Sequence, residues 1–207
     1  LALDTLAFSA ATEVQQRVIP PALEGRDLLV SAETGSGKTL AYLLPMVQRL
    51  LIGQPATADG PGALVLVPTR ELARQVLKQC RALLTKTPLQ AYAITGGADF
   101  RYQQSLFRKN PEIVVATPGR LRDHLMRGSI DLSALRAVVL DEADEMLDLG
   151  FREDLEFILG EAPEDRQTLL FSATVPQSIA SLARSYQRDA IRIDTKSEHT
   201  QHADIEY

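Results

Sequence analysis

Cysteine is almost missing from this chain. Cys80 is the only one in 207 residues, so no disulfide can brace the core and no thiolate pair is available to a metal. It falls in the series Leu72, Val76, Leu77, Cys80, Leu84, the spacing of one helix face, and is expected as a small core residue. Histidine is scarce as well: His124, His199 and His202 have no metal-ligand spacing with Cys or acids and are expected on the surface. No apolar stretch approaches the roughly 20 residues that span a bilayer, and no basic segment followed by an apolar one opens the chain. The expectation is a cytoplasmic domain with no membrane partner. Basic charge is also short. With 22 Lys and Arg against 27 Asp and Glu, the net charge is −5 and the pI near 5.3. A protein that grips nucleic acid by overall basicity is excluded, and any such contact must be a local patch.

What is present describes one core. The chain is 45% hydrophobic and 24% charged, with no internal repeat or low-complexity tract, enough for one substantial domain. Apolar runs alternate with amphipathic stretches, the pattern of strands joined by helical crossovers. Strands are predicted near 27–31, 63–67, 90–94, 112–116, 136–140, 167–172 and 190–193. Helices are predicted at about 12–24, 38–51, 70–84, 100–108, 118–127, 142–148, 152–159 and 176–187. The expected fold is α/β, a doubly wound parallel sheet flanked by helices. Ile52 to Gly62, with Gly53, Pro55, Gly60, Pro61 and Gly62, is the one long loop and is expected at the surface. The tail from Thr195 to Tyr207 is polar and turns strand-like at Ala203–Tyr207, as a linker would.

After the first apolar run stands Ala32-Glu33-Thr34-Gly35-Ser36-Gly37-Lys38-Thr39. A buried strand that ends in a Gly-rich turn and opens a helix aims several backbone N–H groups at one spot, and the helix N-terminus adds partial positive charge there. Gly35 and Gly37 permit conformations and close approach that a Cβ would block. Lys38 supplies charge for outer phosphates, and the Thr39 hydroxyl can ligate Mg²⁺. The general pattern begins with Gly where this chain has Ala32. An ordinary Gly-rich turn would have no need of Lys38-Thr39.

A second signal is acidic. Leu135 to Leu140 reads as a buried parallel strand and runs straight into Asp141-Glu142-Ala143-Asp144. In open α/β sheets ligands bind at the C-terminal strand edge, so Asp141 can hold Mg²⁺ while Glu142 orients and deprotonates an attacking water. A solvated helix start would also favour acids, by the helix dipole. The phosphate loop upstream is what favours the catalytic reading.

These segments, with Ser172-Ala173-Thr174, Pro68-Thr69-Arg70-Glu71-Leu72-Ala73, Gly96-Gly97, Thr117-Pro118-Gly119-Arg120 and the segment ending in Gln15, resemble the first RecA-like domain of DEAD-box ATP-dependent RNA helicases. The resemblance covers nearly the whole chain in the family's order. It implies a RecA-like P-loop NTPase domain over 1–194, an interdomain linker beginning in 195–207, and a second RecA-like domain as partner. It also implies ATP and Mg²⁺ as ligands, RNA bound by its backbone, and RNA-dependent ATP hydrolysis coupled to duplex unwinding or RNP remodelling. A nucleotide-gated RNA clamp or partner-binding module, and a small-molecule P-loop kinase, are the readings from other classes.

The resemblance also distributes roles. Thr12 and Gln15 form a capping box by their own spacing; in the family the Gln amide also reads the adenine edge, a bidentate match that guanine lacks. The family usually has Pro where this chain has Ala11, and its adenine-stacking aromatic would precede Leu1. Ser172 and Thr174 follow a strand at the same sheet edge and are expected to bond Asp144 or a phosphate-side water, although simple N-capping would also use them. In the family the matching hydroxyls couple nucleotide to RNA work. Pro68-Thr69-Arg70 and Thr117-Pro118-Gly119-Arg120 each open a helix with a hydroxyl at the cap and an Arg in the first turn. Arg there opposes the helix dipole, so a bound anion, an RNA phosphate, is expected to offset it. Gly96-Gly97 would let the backbone approach the same phosphates. Arg101, Arg108, Lys109 and Arg122 are expected as a solvated face, and Ser105 stands where many relatives place Arg.

Overall fold

The structure is a computed structural model and describes residues 10–53 and 59–195. Seven short apolar runs form the strands β1 (Leu28–Ser31), β2 (Ala63–Leu66), β3 (Ala91–Ile94), β4 (Ile113–Ala116), β5 (Ala137–Leu140), β6 (Gln167–Ser172) and β7 (Ile191–Asp194). All neighbours pair in parallel, in the order β3-β4-β2-β5-β6-β1-β7. Parallel strands need crossovers; among the described residues α1 (Glu13–Leu23) precedes β1 and seven helices lie between strands: α2 (Lys38–Ile52), α3 (Arg70–Leu84), α4 (Phe100–Phe107), α5 (Pro118–Met126), α6 (Ala143–Asp148), α7 (Arg152–Glu161) and α8 (Gln177–Tyr186).

Side chains alternate across a strand, and here both faces are apolar. Leu28 and Val30, Val65, Val139 and Phe171 face one core, shared with Val18 of α1, Leu43 of α2 and Val76 of α3. Leu29, Leu64 and Leu66, Val138 and Leu140, and Leu170 face the other, with Leu121, Met146, Ile158 and Ile179 from α5 to α8. This doubly wound arrangement matches the predicted fold class. Cys80 is fully buried in the first core, and burial pushes its thiol up to about 12, so it is an inert packing residue.

Several expectations change. Ile52 closes α2 rather than opening the loop, and residues 54–58 of that loop lie outside the described residues. So do His199, His202 and the strand-like Ala203–Tyr207. Arg122 is not simply solvated: it pairs with Asp154 at 3.3 Å and lies over the Phe157 ring. His124 is not at the surface but fully buried. Its ring stacks on Phe100 at 4.0 Å and meets the Phe107 edge at 5.0 Å.

The hydrogen bonds around His124 fix its protonation. Gln103 Nε2 donates to Thr95 O at 2.7 Å, which leaves Oε1 to accept from His124 Nε2 at 2.8 Å and from Arg120 Nη1 at 3.0 Å. Nδ1 is buried without a partner. A second ring proton would be a buried cation with nothing to receive it, and burial together with nearby Arg120 pushes the imidazole down to about 4. The unfolded chain, with an ordinary His near 6.5, takes up a proton between about 6.5 and 4 while the folded one does not, so acidification through that window favours unfolding. His124→Gln keeps an N–H for Gln103 and does not titrate. Urea midpoints measured from pH 7 to 4.5 should fall more steeply for the wild type than for H124Q; parallel curves would remove His124 as a source of acid sensitivity.

Candidate functional site

Every strand points the same way, so all C-terminal ends lie along one edge. The ends of β5, β6 and β1 are contiguous on one half of it, and those of β3, β4 and β2 on the other. The Gly-rich loop, the acidic segment and Ser172–Thr174 fall on the first half, and Pro68–Arg70, Gly96–Gly97 and Thr117–Arg120 on the second.

At the end of β1 the chain turns through Ala32, whose N–H donates to Ser172 O at 3.1 Å, tying the loop to β6. Glu33 and Thr34 are exposed, and Ser36 N–H donates to Glu33 O at 3.3 Å, closing the turn. Gly35 and Gly37 have φ of +82° and +86°, the left-handed region that only Gly adopts cheaply. A Cβ on Gly35 would meet nothing within 4 Å, whereas one on Gly37 would lie 2.7 Å from Gln15 Nε2 and 2.8 Å from Thr12 Oγ1. One glycine therefore borders open space and the other is clamped by α1. The Ser36 hydroxyl is buried without a partner, and Lys38 and Thr39 open α2 behind it.

Beneath the loop lies a buried polar cluster. Asp141 at the end of β5 is fully buried. Lys38 Nζ stands 2.7 Å from its Oδ1 and 3.5 Å from Glu142 Oε1. The Tyr42 hydroxyl donates to Asp141 Oδ2 at 2.8 Å. Tyr42 was not singled out from the sequence, although it lies one helical turn beyond Lys38 on the same face of α2. It is wholly enclosed, edge-on to Phe171 at 5.2 Å, and burial first, then the Asp141 charge, hold its hydroxyl well above the ordinary range. The phenol thus stays a donor and fixes the carboxylate's orientation.

The Lys38 contact at Asp141 Oδ1 is an ion contact without hydrogen-bond geometry, so that buried oxygen has no hydrogen-bond donor. A carboxylate oxygen of this kind suits a hard cation, and the Thr39 hydroxyl reaches the same cluster at Tyr42. Among the described residues no group of three or more His, Cys, Asp or Glu forms a cage. An ion here would rely on one carboxylate, a hydroxyl, waters and ligand oxygens, as Mg²⁺ does with phosphates. The residues fit Mg²⁺.

Glu142 carries the strain of this corner. Its φ of 54° and ψ of 50° are left-handed for a residue with a Cβ, at a cost on the order of 1–2 kcal/mol. Its carboxyl is raised above the usual range, by burial first and by Glu145 next, with Lys38 opposing. Asp144, in the first turn of α6, accepts on Oδ2 from the Thr174 hydroxyl at 3.2 Å and its N–H at 3.3 Å. The Ser172 hydroxyl donates to Thr174 O. Neither hydroxyl caps α8, whose N-cap is Pro176. Thr174 therefore links this segment to the acidic motif, whereas Ser172 bonds within its own segment and not to Asp144.

The capping box at α1 is present, with Thr12 N–H donating to Gln15 Oε1 at 2.9 Å and Gln15 N–H to Thr12 Oγ1 at 3.4 Å. Sequence reasoning missed that Gln15 Nε2 also donates to Gly37 O at 3.1 Å. An amide has two N–H groups and two acceptor lone pairs, so one of each remains for a ligand.

On the other half of the edge, Thr69 caps α3 by accepting from Leu72 N–H at 3.2 Å, behind buried Pro68. Arg70 is exposed; its Nη1 donates to Gly96 O at 3.4 Å and covers Gly97, where φ is +83° and a Cβ would overlap the guanidinium. Arg120 Nη1 donates to Ala98 O at 2.8 Å. Both arginines thus converge on the exposed segment 96–98, one from β2 and one from β4. Thr117 departs from expectation. It occupies the N-cap of α5 before Pro118 and Gly119, but its hydroxyl makes no capping bond. Ser105 Oγ donates within α4 to Tyr102 O, leaving its hydroxyl proton on its own helix.

Comparison with known proteins agrees with this geometry. The family profile described as DEAD/DEAH box helicase matches residues 12–182. The chain is 42% identical over 196 residues to the ATP-dependent RNA helicase CshA of Listeria monocytogenes, covering 94% of this chain and 37% of that protein. With the ATP-dependent RNA helicase DeaD of Escherichia coli it is 43% identical over 205 residues, covering 99% and 32%. With SrmB of the same organism it is 45% identical over 193 residues, covering 93% and 44%. The crystal structure of a hypothetical ATP-dependent RNA helicase from Sulfolobus tokodaii superposes with a TM-score of 0.84 at 37% identity, covering 94% of this chain and 55% of that one. The chain thus spans less than half the length of these curated relatives. No helix among the described residues is long and apolar enough to cross a membrane. With its parallel sheet, its phosphate loop over a buried Lys-Asp-Tyr cluster and these matches, the chain belongs to the DEAD/DEAH box helicase family.

Proposed function

We infer that this domain binds ATP with Mg²⁺ on the β5-β6-β1 half of the sheet edge and an RNA sugar-phosphate backbone on the β3-β4-β2 half. ATP hydrolysis is coupled there to RNA unwinding or RNP remodelling, together with a second RecA-like domain. The observation that carries this reading is the cluster of Lys38, Asp141, Tyr42 and Glu142 under a loop with a glycine open to solvent and an unpartnered buried hydroxyl at Ser36.

In this reading the N–H groups of residues 34–39 and Lys38 receive the phosphates, and Gln15 offers its remaining N–H and lone pair to adenine. Asp141 and Thr39 would hold Mg²⁺, which draws charge from the phosphate oxygens when bound. Glu142, lifted in pKa and held off Asp141 by its left-handed backbone, orients the water and takes its proton. Lys38, released from Asp141 and Glu142, turns to the phosphates. Asp144 with Thr174 carries the state of this corner along β6. Arg70 and Arg120, anchored on carbonyls 96 and 98, present their remaining N–H groups to RNA phosphates, which favours contact by backbone position over base identity. The second RecA-like domain, joined through a linker that begins in 195–207, is assigned the further positive charge on the transferring phosphoryl group, a contribution worth roughly 10³–10⁵ in rate.

Gln15→Glu should erase the preference for ATP over GTP. It also removes the bond to Gly37 O, which weakens both nucleotides alike, so the ratio of the two dissociation constants is the informative number; an unchanged ratio would overturn the adenine assignment. Lys38→Ala should abolish affinity for ADP and ATP together.

Residues 1–207 alone should hydrolyse ATP slowly even with RNA, and fusion to a second RecA-like domain should yield RNA-stimulated turnover. In the fusion, Glu142→Gln should remove turnover and leave ATP binding intact. Full RNA-stimulated hydrolysis by 1–207 would refute the two-domain mechanism, and RNA binding without any stimulation in the fusion would favour the clamp.

Arg70→Ala and Arg120→Ala should each weaken RNA binding similarly for all sequences and lower the slope of log K against log salt by at most about one. Altered sequence preference at constant slope would place these arginines on bases.

A further inference from the structure

At the opposite edge of the sheet, where β5 and β6 begin, a cavity of about 310 Å³ opens between the C-terminal ends of α1 and α2. Its walls are of two kinds. Leu23, Met46, Leu50 and Ile52 supply an aliphatic face, and Leu23 and Ile52 remain 42% and 72% exposed, so this apolar surface is wetted. Arg49 and Arg136 supply two guanidinium groups.

The arginines are fixed rather than loose. Gln167 Nε2 donates to Ala22 O and Arg26 O, both at 2.9 Å, which locks its amide and directs Oε1 to accept from Arg49 Nη1 at 2.6 Å. The back of the Arg49 guanidinium lies against Gly25, where a Cβ would come within 3.1 Å. Arg136 lies flat on Gly53, in the space a Cβ there would fill. Burial and then the charge of Arg136 push Arg49 below its ordinary range, and among the described residues neither arginine makes an ion pair. Two like charges held together beside an apolar wall are relieved by an anion that also carries apolar surface.

We propose that this corner docks an acidic peptide segment of a protein partner, one carboxylate received by Arg49 and Arg136 and an adjoining bulky aliphatic or aromatic side chain seated on Leu23, Met46, Leu50 and Ile52. Charge complementarity selects the carboxylate, and planar guanidiniums bind it through paired N–H groups. The wall selects against nucleic acid: it offers no aromatic platform for a base, and a phosphate would leave its aliphatic surface wet. The volume lies at the lower end for ligand pockets and suits one large side chain with its neighbouring carboxylate. The site is on the far edge from the nucleotide and RNA residues and is independent of the function proposed for them.

The test uses residues 1–207 and two fluorescein-labelled peptides, Gly-Glu-Asp-Leu-Phe-Glu-Gly and its amide counterpart Gly-Gln-Asn-Leu-Phe-Gln-Gly. Anisotropy should saturate with the acidic peptide alone, and Arg136→Ser and Ile52→Asp should each weaken it by about 10-fold or more, the loss of one charge-assisted contact or of the apolar seat. Arg136→Lys should bind in between. Amide shifts in NMR spectra should cluster at residues 49–53 and 136–137. Equal binding of the neutral peptide, no binding at millimolar peptide, or displacement by a short RNA or by inorganic phosphate would each overturn the assignment. Both variants change exposed side chains, and their spectra report directly that the fold is kept.

Discussion

One constraint governs this molecule: all seven strands run in the same direction. A parallel strand cannot return by a hairpin, so each of β1 to β6 is followed by a helix that carries the chain back, and every strand ends on the same edge. That edge collects turn segments distant in the chain into a single line. Strand order divides them. The turn after β1, the acids after β5 and the hydroxyls after β6 become neighbours, and so do the arginines after β2 and β4 and the glycines after β3. No residue has to reach far; the sheet does the gathering.

The same constraint explains the sequence texture. Because helices cover both faces, each strand must be apolar on both, and polar chemistry is confined to strand ends. Two of the exceptions inside are held by full sets of partners. Asp27 near the start of β1 accepts from Thr168 N–H at 2.8 Å and Arg188 N–H at 2.7 Å, and Gln167 is fully occupied by two carbonyls and Arg49. Asp141 is the different case, a buried carboxylate whose partners are a lysine and a phenol rather than backbone, with one oxygen short of a donor.

The strands, the crossover helices and the segments that meet at the sheet edge were legible in the sequence because each is local: an apolar run, a helical period, a glycine pair next to Lys-Thr. What escaped were contacts made by single side chains across long separations. Tyr42 meets Asp141 over 99 positions, Gln15 meets Gly37 over 22, and His124 meets Gln103 over 21. His124 looked like a surface residue because it follows charged neighbours, yet it lies on the inner face of α5, where a neutral imidazole with one N–H fills a polar gap between two phenylalanines. Thr117 shows the reverse error. Its position before Pro118 marked the helix start correctly, but position alone does not commit a hydroxyl to a capping bond.

The contact between Lys38 and Asp141 has a consequence for how the site exchanges ions. Here each is the other's counter-charge, so neither is available to a ligand at no cost. A bare anion would have to strip the lysine from its carboxylates and leave Asp141 buried and uncompensated, while a bare divalent cation would meet the lysine's charge at close range. An anion and a cation arriving together face neither obstacle: the lysine swaps one negative partner for another as the aspartate swaps one positive partner for another. Under the proposed function, this double exchange favours a metal-nucleotide pair over either component alone.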